Sequence, residues 1–280
     1  MSQKIKKIIY WILLVAFSAV FVVCAIKVGI YLVDTWQHRQ QMNEIAGMHT
    51  TGPNSQPTDP TQPPTDPTDP TEPGETYPPT EPTEPPKPPI LPELVAIHAL
   101  NEDVVGWISI EGTDINYPVM QTRYKQNFYL DKNFYKEDSV AGQIYVREAC
   151  DVFEPSDNVT IYGHNMADGS MFGQLHRYRR SQDFYEQHKY IQFDTLYEHH
   201  TYEIIAVFTT SGTYGVGYPY HLFDTASSEQ EFDDFIASCK ALGLYDIPVS
   251  AEYGDKLITL STCYDYIDNG RLVILAKRIK

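Results

Sequence analysis

At 280 residues and a formal net charge of −16, the chain has room for one sizeable domain plus extensions. The charge is uneven: residues 1–50 carry +3, residues 51–92 carry −6, and residues 93–280 carry −13, with 15 basic against 28 acidic side chains. Phosphate binding needs clustered cations, so this balance argues against nucleic acid and other polyanions as partners.

The chain opens with Lys4, Lys6 and Lys7, and residues 8–26 are then uncharged and strongly apolar. Past Lys27 the apolar run resumes and continues to Val33. Nineteen uncharged residues suffice to cross a hydrocarbon core of about 30 Å. The preceding lysines favour a cytoplasmic N-terminus and an exported remainder, and Lys27 can snorkel to the far interface. A cleaved signal peptide is the competing reading. Ala16-Phe17-Ser18-Ala19 loosely fits its small-x-small site, but the apolar run continues well past it. Cys24 as a lipid-modified cysteine is disfavoured by the bulky Val23 before it. The expectation is a single-pass cell-membrane protein: residues 1–7 cytoplasmic, residues 8–33 an uncleaved anchor, and the rest extracellular.

Residues 34–92 read as a juxtamembrane segment and linker. Sixteen of the 20 prolines lie between Thr51 and Pro92, in units such as Pro67-Thr68-Asp69-Pro70. This Pro/Thr/acidic-rich composition cannot build a core and predicts a disordered, partly polyproline II spacer. At about 3.1 Å per residue it reaches on the order of 120 Å at most. A ligand for proline-binding modules is the sharper reading, but such modules are mainly intracellular and this segment is expected outside.

The globular part is expected over residues 93–280. A helix is predicted over 94–100. Strands follow over 104–110, 115–120, 142–147, 158–162, 189–194 and 201–209, from short β-prone runs bounded by turn residues. Helical patterns cover 171–179, with Ser170 as cap, and 228–242, where Phe232, Phe235, Ile236, Cys239 and Leu242 recur at helical spacing. Cys239 on that stripe reads as a small buried hydrophobe. Many short strands with few helices predict a mainly β fold, a closed or nearly closed barrel. No CxxC, HExxH or Cys/His cluster is present, so neither a metal nor a cofactor is expected.

Chemistry concentrates in residues 256–271, KLITLSTCYDYIDNGR. An apolar strand runs into Ser261-Thr262-Cys263. After a polar turn, Arg271 opens a second apolar strand. Antiparallel pairing would set a thiol beside a guanidinium, a nucleophile next to an anion stabiliser. Of nine histidines, most sit in polar, helical or turn settings, with His38 and His49 flanking the anchor. His164 instead follows the strand ending at Tyr162, where its imidazole emerges at a strand end.

TLSTC at 259–263, followed by Arg271 on a strand, resembles the signature of sortases, membrane-anchored cysteine transpeptidases of bacteria with a Gram-positive-type wall. YGHNMADGSMFGQL at 162–175 resembles the family's histidine segment, and GWISIEGTDINYPVMQ at 106–121 its opening strands. The similarity spans about residues 94–280 in the right order. The opening helix, the GWI…YPV block and the long helix before the cysteine strand resemble class B most closely.

The resemblance implies an eight-stranded barrel decorated by helices, with Cys263 as nucleophile, His164 as acid/base and Arg271 as oxyanion or substrate stabiliser. It implies cleavage of a C-terminal sorting motif on exported proteins and transfer to an amine, either a peptidoglycan cross-bridge or a pilin lysine. By analogy Leu130, Thr210, Ser261 and Thr262 line the substrate groove, and an aromatic loop of Tyr214, Tyr218 and Tyr220 covers it. Asp265 and Asp268 either orient His164, attract the cationic amine, or form a solvated turn. Two other readings are a decayed sortase-fold scaffold and a purely hydrolytic cysteine peptidase.

Overall fold

The computed structural model describes residues 3–50 and 88–280. Its strands are β1 (Val104–Ser109), β2 (Asn116–Met120), β3 (Ile144–Val146), β4 (Asn158–Tyr162), β5 (Tyr190–Thr195), β6 (Thr201–Ser211), β7 (Leu257–Cys263) and β8 (Gly270–Arg278). They close into a barrel in the order β1-β2-β3-β4-β7-β8-β6-β5. Only β2–β3 and β4–β7 pair in parallel; the other neighbours run antiparallel. The eight-stranded barrel with added helices expected from the sequence is therefore present.

The helices are α1 (Gln3–Thr50), α2 (Pro92–Leu100), α3 (His176–Arg180), α4 (Gln182–Gln187) and α5 (Glu229–Ala241). Side chains alternate across a strand, and in β8 both faces are buried. Leu272, Ile274 and Ala276 point into the barrel core. Val273 and Leu275 point outward to a second core with Phe232, Phe235, Ile236 and Cys239 of α5. Being apolar on both faces places β7 and β8 at the centre of the fold. Ser228 caps α5, its Oγ accepting from the Glu231 N–H, while Glu231 Oε2 reaches back to the Ser227 N–H at 2.8 Å. That exchange satisfies two helix-end donors reciprocally.

The helix expected over 171–179 is displaced. Met171 has φ 53° and bridges to Asn165, and regular α-helix begins only at His176. Competing partners take the backbone donors: Asp168 accepts from the Ser170 N–H at 3.0 Å, and the Tyr117 hydroxyl accepts from the Met171 N–H at 3.2 Å. The Phe172 N–H is held by the His164 carbonyl at 3.0 Å. The segment is thus a tight loop that braces His164 rather than a helix. Helix α4, absent from the sequence reading, is capped by Ser181, whose Oγ accepts from the Phe184 N–H at 3.2 Å.

The N-terminal helix departs most from expectation. Its apolar stretch is exposed from Ile9 to Ile30, and the helix is long and apolar enough to cross a membrane by length and composition. It does not end near residue 33 but runs on to Thr50. Tyr31, Thr35, His38, Met42, Ile45 and His49 recur at three- and four-residue intervals, one helix face, and that face docks on the barrel. Met42 and Ile45 join the main core, His49 stacks on Trp107 at 4.2 Å, and Asp34 Oδ2 accepts from the Val140 N–H at 3.0 Å. Residues 34–50, grouped with the linker from sequence, are part of the folded unit. Residues 51–87 of that linker lie outside the described residues.

His38 lies within this interface, 4 % exposed, and neither ring nitrogen has a hydrogen-bond partner. Burial lowers its pKa from 6.5 to about 4, against the opposing pull of Asp34 and Asp168. Above pH 6.5 the ring is neutral whether folded or unfolded and costs nothing further. As pH falls from 6.5 towards 4 the unfolded chain takes up the proton first, and stability drops by up to about 3 kcal/mol. We expect the melting temperature of the full chain to fall over this window and His38→Leu to lessen the fall. Equal acid slopes for the two proteins in thermal melts would disprove the assignment.

Candidate active site

Strands β7 and β8 pair so that Cys263 stands directly opposite Arg271. Strand β4 lies parallel to β7, with Tyr162 against Ser261, and the Gly163 N–H continues the ladder to the Ser261 carbonyl at 3.2 Å. Two residues beyond the last pair on each strand stand His164 and Cys263. Gly163 has no room for a side chain, since a Cβ there would fall 2.5 Å from Ile144 Cδ1 and 2.7 Å from the Phe172 ring. Register alone therefore gathers three residues that are far apart in sequence.

All three line one cleft of about 370 Å³. His164 Nε2 lies 2.7 Å from the Leu130 carbonyl. A carbonyl oxygen can only accept, so Nε2 carries the hydrogen and Nδ1 is left for other work. Arg271 Nη1 donates to the carbonyls of Asn269 at 3.1 Å and Gly270 at 2.9 Å, which ties the guanidinium to the β7–β8 turn and leaves further donors free. Cys263 is partly exposed, whereas Cys150 and Cys239 are buried. Burial pushes the Cys150 thiol up to about 12 and raises that of Cys239 as well. Of Cys150, Cys239 and Cys263, the last is the one placed to meet a substrate.

The four groove residues divide. Leu130, Ser261 and Thr262 line the cleft. Leu130 is 44 % exposed and also fixes His164 through its carbonyl. The Ser261 hydroxyl is engaged with that of Tyr220 at 2.6 Å. Thr262 is 2 % exposed and its Oγ1 has no partner. Thr210 stands apart from the cleft. It pairs with Arg271 across β6 and β8, and its Oγ1 accepts from the Tyr218 N–H at 2.8 Å, so it anchors the loop after β6. That loop does not act as one cover: Tyr220 lines the cleft, Tyr218 packs on Phe235, and Tyr214 is fully exposed. Asp265 and Asp268 lie in the exposed turn, and neither hydrogen-bonds His164.

Several cleft residues escaped the sequence reading. Tyr145 of β3 pairs with Tyr162 of β4, and the two rings form an aromatic wall with centroids 5.4 Å apart. Burial lowers the pKa of His221, helped by Arg147 and then Arg271, placing a neutral imidazole on the cleft edge. His176 Nε2 donates to the Cys263 carbonyl at 3.0 Å, holding the end of β7. The one available sequence signal was alternation: Tyr145 and Tyr162 each stand at a strand position whose neighbours are core. Among the described residues no group of three or more His, Cys, Asp or Glu is placed to hold a metal ion.

With the geometry in hand, three comparisons agree. The family model described as "Sortase domain" matches residues 108–279. The chain is 34 % identical over 191 residues to sortase B of Listeria monocytogenes, covering 67 % of this chain and 74 % of that protein. It is 30 % identical over 193 residues to sortase B of Staphylococcus aureus, covering 68 % and 75 %. Among solved structures, sortase B from B. anthracis superposes with a TM-score of 0.67 at 28 % identity, covering 89 % of this chain and 99 % of that one. Barrel, cleft and relatives together make the chain a member of the sortase family, on the class B side of it.

Proposed function

We propose that this chain is a membrane-anchored cysteine transpeptidase that cleaves a C-terminal sorting motif on exported proteins and joins the new carboxyl end to an amine of the cell wall or of a pilin. The observation that carries this is Cys263 opposite Arg271, with His164 at the end of the adjoining strand, around one cleft.

The chemistry follows from the residue types. Cys263 sulfur attacks the scissile amide carbonyl, forming a tetrahedral oxyanion that the free donors of Arg271 stabilise. Nearby positive charge from His164 or Arg271 favours the thiolate. The carbon–nitrogen bond breaks, His164 delivers a proton from Nδ1 to the departing amine, and a thioester to Cys263 remains. In the second half an acceptor amine attacks the thioester and gives up a proton to His164. The new amide forms, and the Cys263 sulfur leaves. Its Nε2–H bond to Leu130 orients the ring throughout. The apolar stretch of α1 holds the enzyme in the membrane with its barrel outside.

The test is a screen of the full chain against sorting peptides with an amine acceptor present, with product mass as readout. A ligated peptide of summed mass less the leaving segment is the expected product. Hydrolysed peptide alone would make the chain a cysteine peptidase, and no cleavage of any peptide would leave a scaffold.

A further inference from the structure

A second cleft, of about 390 Å³, lies beside the first, and its lining includes Asn165, His176, Arg179, Arg180, Tyr264 and Tyr266. Asn165 follows His164 and Tyr264 follows Cys263. Successive residues of an extended chain point to opposite sides, so the wall between the two clefts is one residue thick. His176 joins them directly through its bond to the Cys263 carbonyl.

This second cleft runs against the charge of the domain. Arg177, Arg179 and Arg180 all line it, although residues 93–280 are strongly acidic. Among the described residues none of the three forms an ion pair, whereas Arg123, Lys136, Arg147, Lys189 and Lys256 all do. Arg177 is turned to the Phe184 ring at 4.0 Å. Arg179 stands 5.0 Å from the Tyr264 ring and 5.9 Å from that of Tyr266, and its Nε is buried without a partner. A guanidinium set beside aromatic faces, with no ion-pair partner, keeps its terminal donors for an oxyanion. Asp265 is the acid in the lining, and it forms no ion pair with any of the three arginines.

We infer that Arg179 and Arg180 bind a carboxylate on the incoming amine acceptor and so aim its amino end at the thioester on Cys263. This rests on the transpeptidase reading above. A three-residue peptide spans about 10 Å, enough to pass from one cleft to its neighbour across a single-residue wall. The ligand is an amino-peptide with a free carboxylate, and the arginine fork selects it over the same peptide amidated.

Two measurements on the full chain in detergent test this. Phenylglyoxal modifies exposed arginines, and its rate at Arg179 and Arg180 can be read by peptide mass without any turnover. Triglycine is expected to slow that rate severalfold, with triglycinamide and acetate having little effect and Arg123 serving as the control. With a sorting peptide that is cleaved, KM for triglycine is expected to be about fivefold or more below that for triglycinamide, and Arg179→Gln/Arg180→Gln to bring the ratio near one. Protection without any transfer would support the site and remove the transpeptidase reading. Transfer without protection or acid–amide preference would overturn the site and keep that reading. Equal protection by acetate would show a general oxyanion site and overturn the acceptor assignment.

Discussion

Cys263→Ala is expected to lower sorting-peptide cleavage by at least about 10³-fold, because it removes the only atom that makes the covalent intermediate. The fold should survive: the side chain is partly exposed at the end of β7, and alanine keeps its Cβ. Circular dichroism and melting temperature should match the parent closely, which separates loss of chemistry from loss of structure. Turnover within tenfold of the parent would remove Cys263 from the mechanism and leave neither buried cysteine able to replace it.

Arg271→Ala carries the next largest effect. A preorganised donor to a developing oxyanion is worth about 10²–10³ in rate, and the loss should fall on kcat more than on KM. Arg271→Lys should restore only a small part. The guanidinium holds the Asn269 and Gly270 carbonyls through Nη1 while keeping other donors of its rigid fork for substrate. A lysine ammonium has one centre and cannot serve both directions. Full recovery in the lysine variant would mean that Arg271 acts only as a point charge.

Local signals carried much of this molecule. The thiol, imidazole and guanidinium were legible because each sits at a strand end with distinctive neighbours, and α5 because its stripe is strictly helical. Other features needed register. Tyr145 and His176 reach the site only through pairing between elements far apart in sequence. Thr210 misled because its position after a long strand says nothing about which side its hydroxyl faces; the structure commits it to the Tyr218 N–H. The helix expected at 171–179 failed because Asp168 and Tyr117 outbid the helix for its first donors. Charge misled as well: a domain-wide excess of acid concealed three unpaired arginines in one cleft. The stripe from Tyr31 to His49 was present in the sequence, but its histidines and threonine look polar, and stacking on Trp107 gives His49 an apolar role.

That docked helix changes what limits the range of the enzyme. In the anchored arrangement proposed here, residues 34–50 rise about 25 Å along a rigid rod, and the barrel is fastened to that rod. Thr50 and Pro92 are both parts of helices that pack against one another, so the barrel's link to the apolar stretch runs through α1 itself. On that proposal the cleft would stand at a fixed height above the bilayer, and substrates would have to be presented in that thin layer next to the membrane.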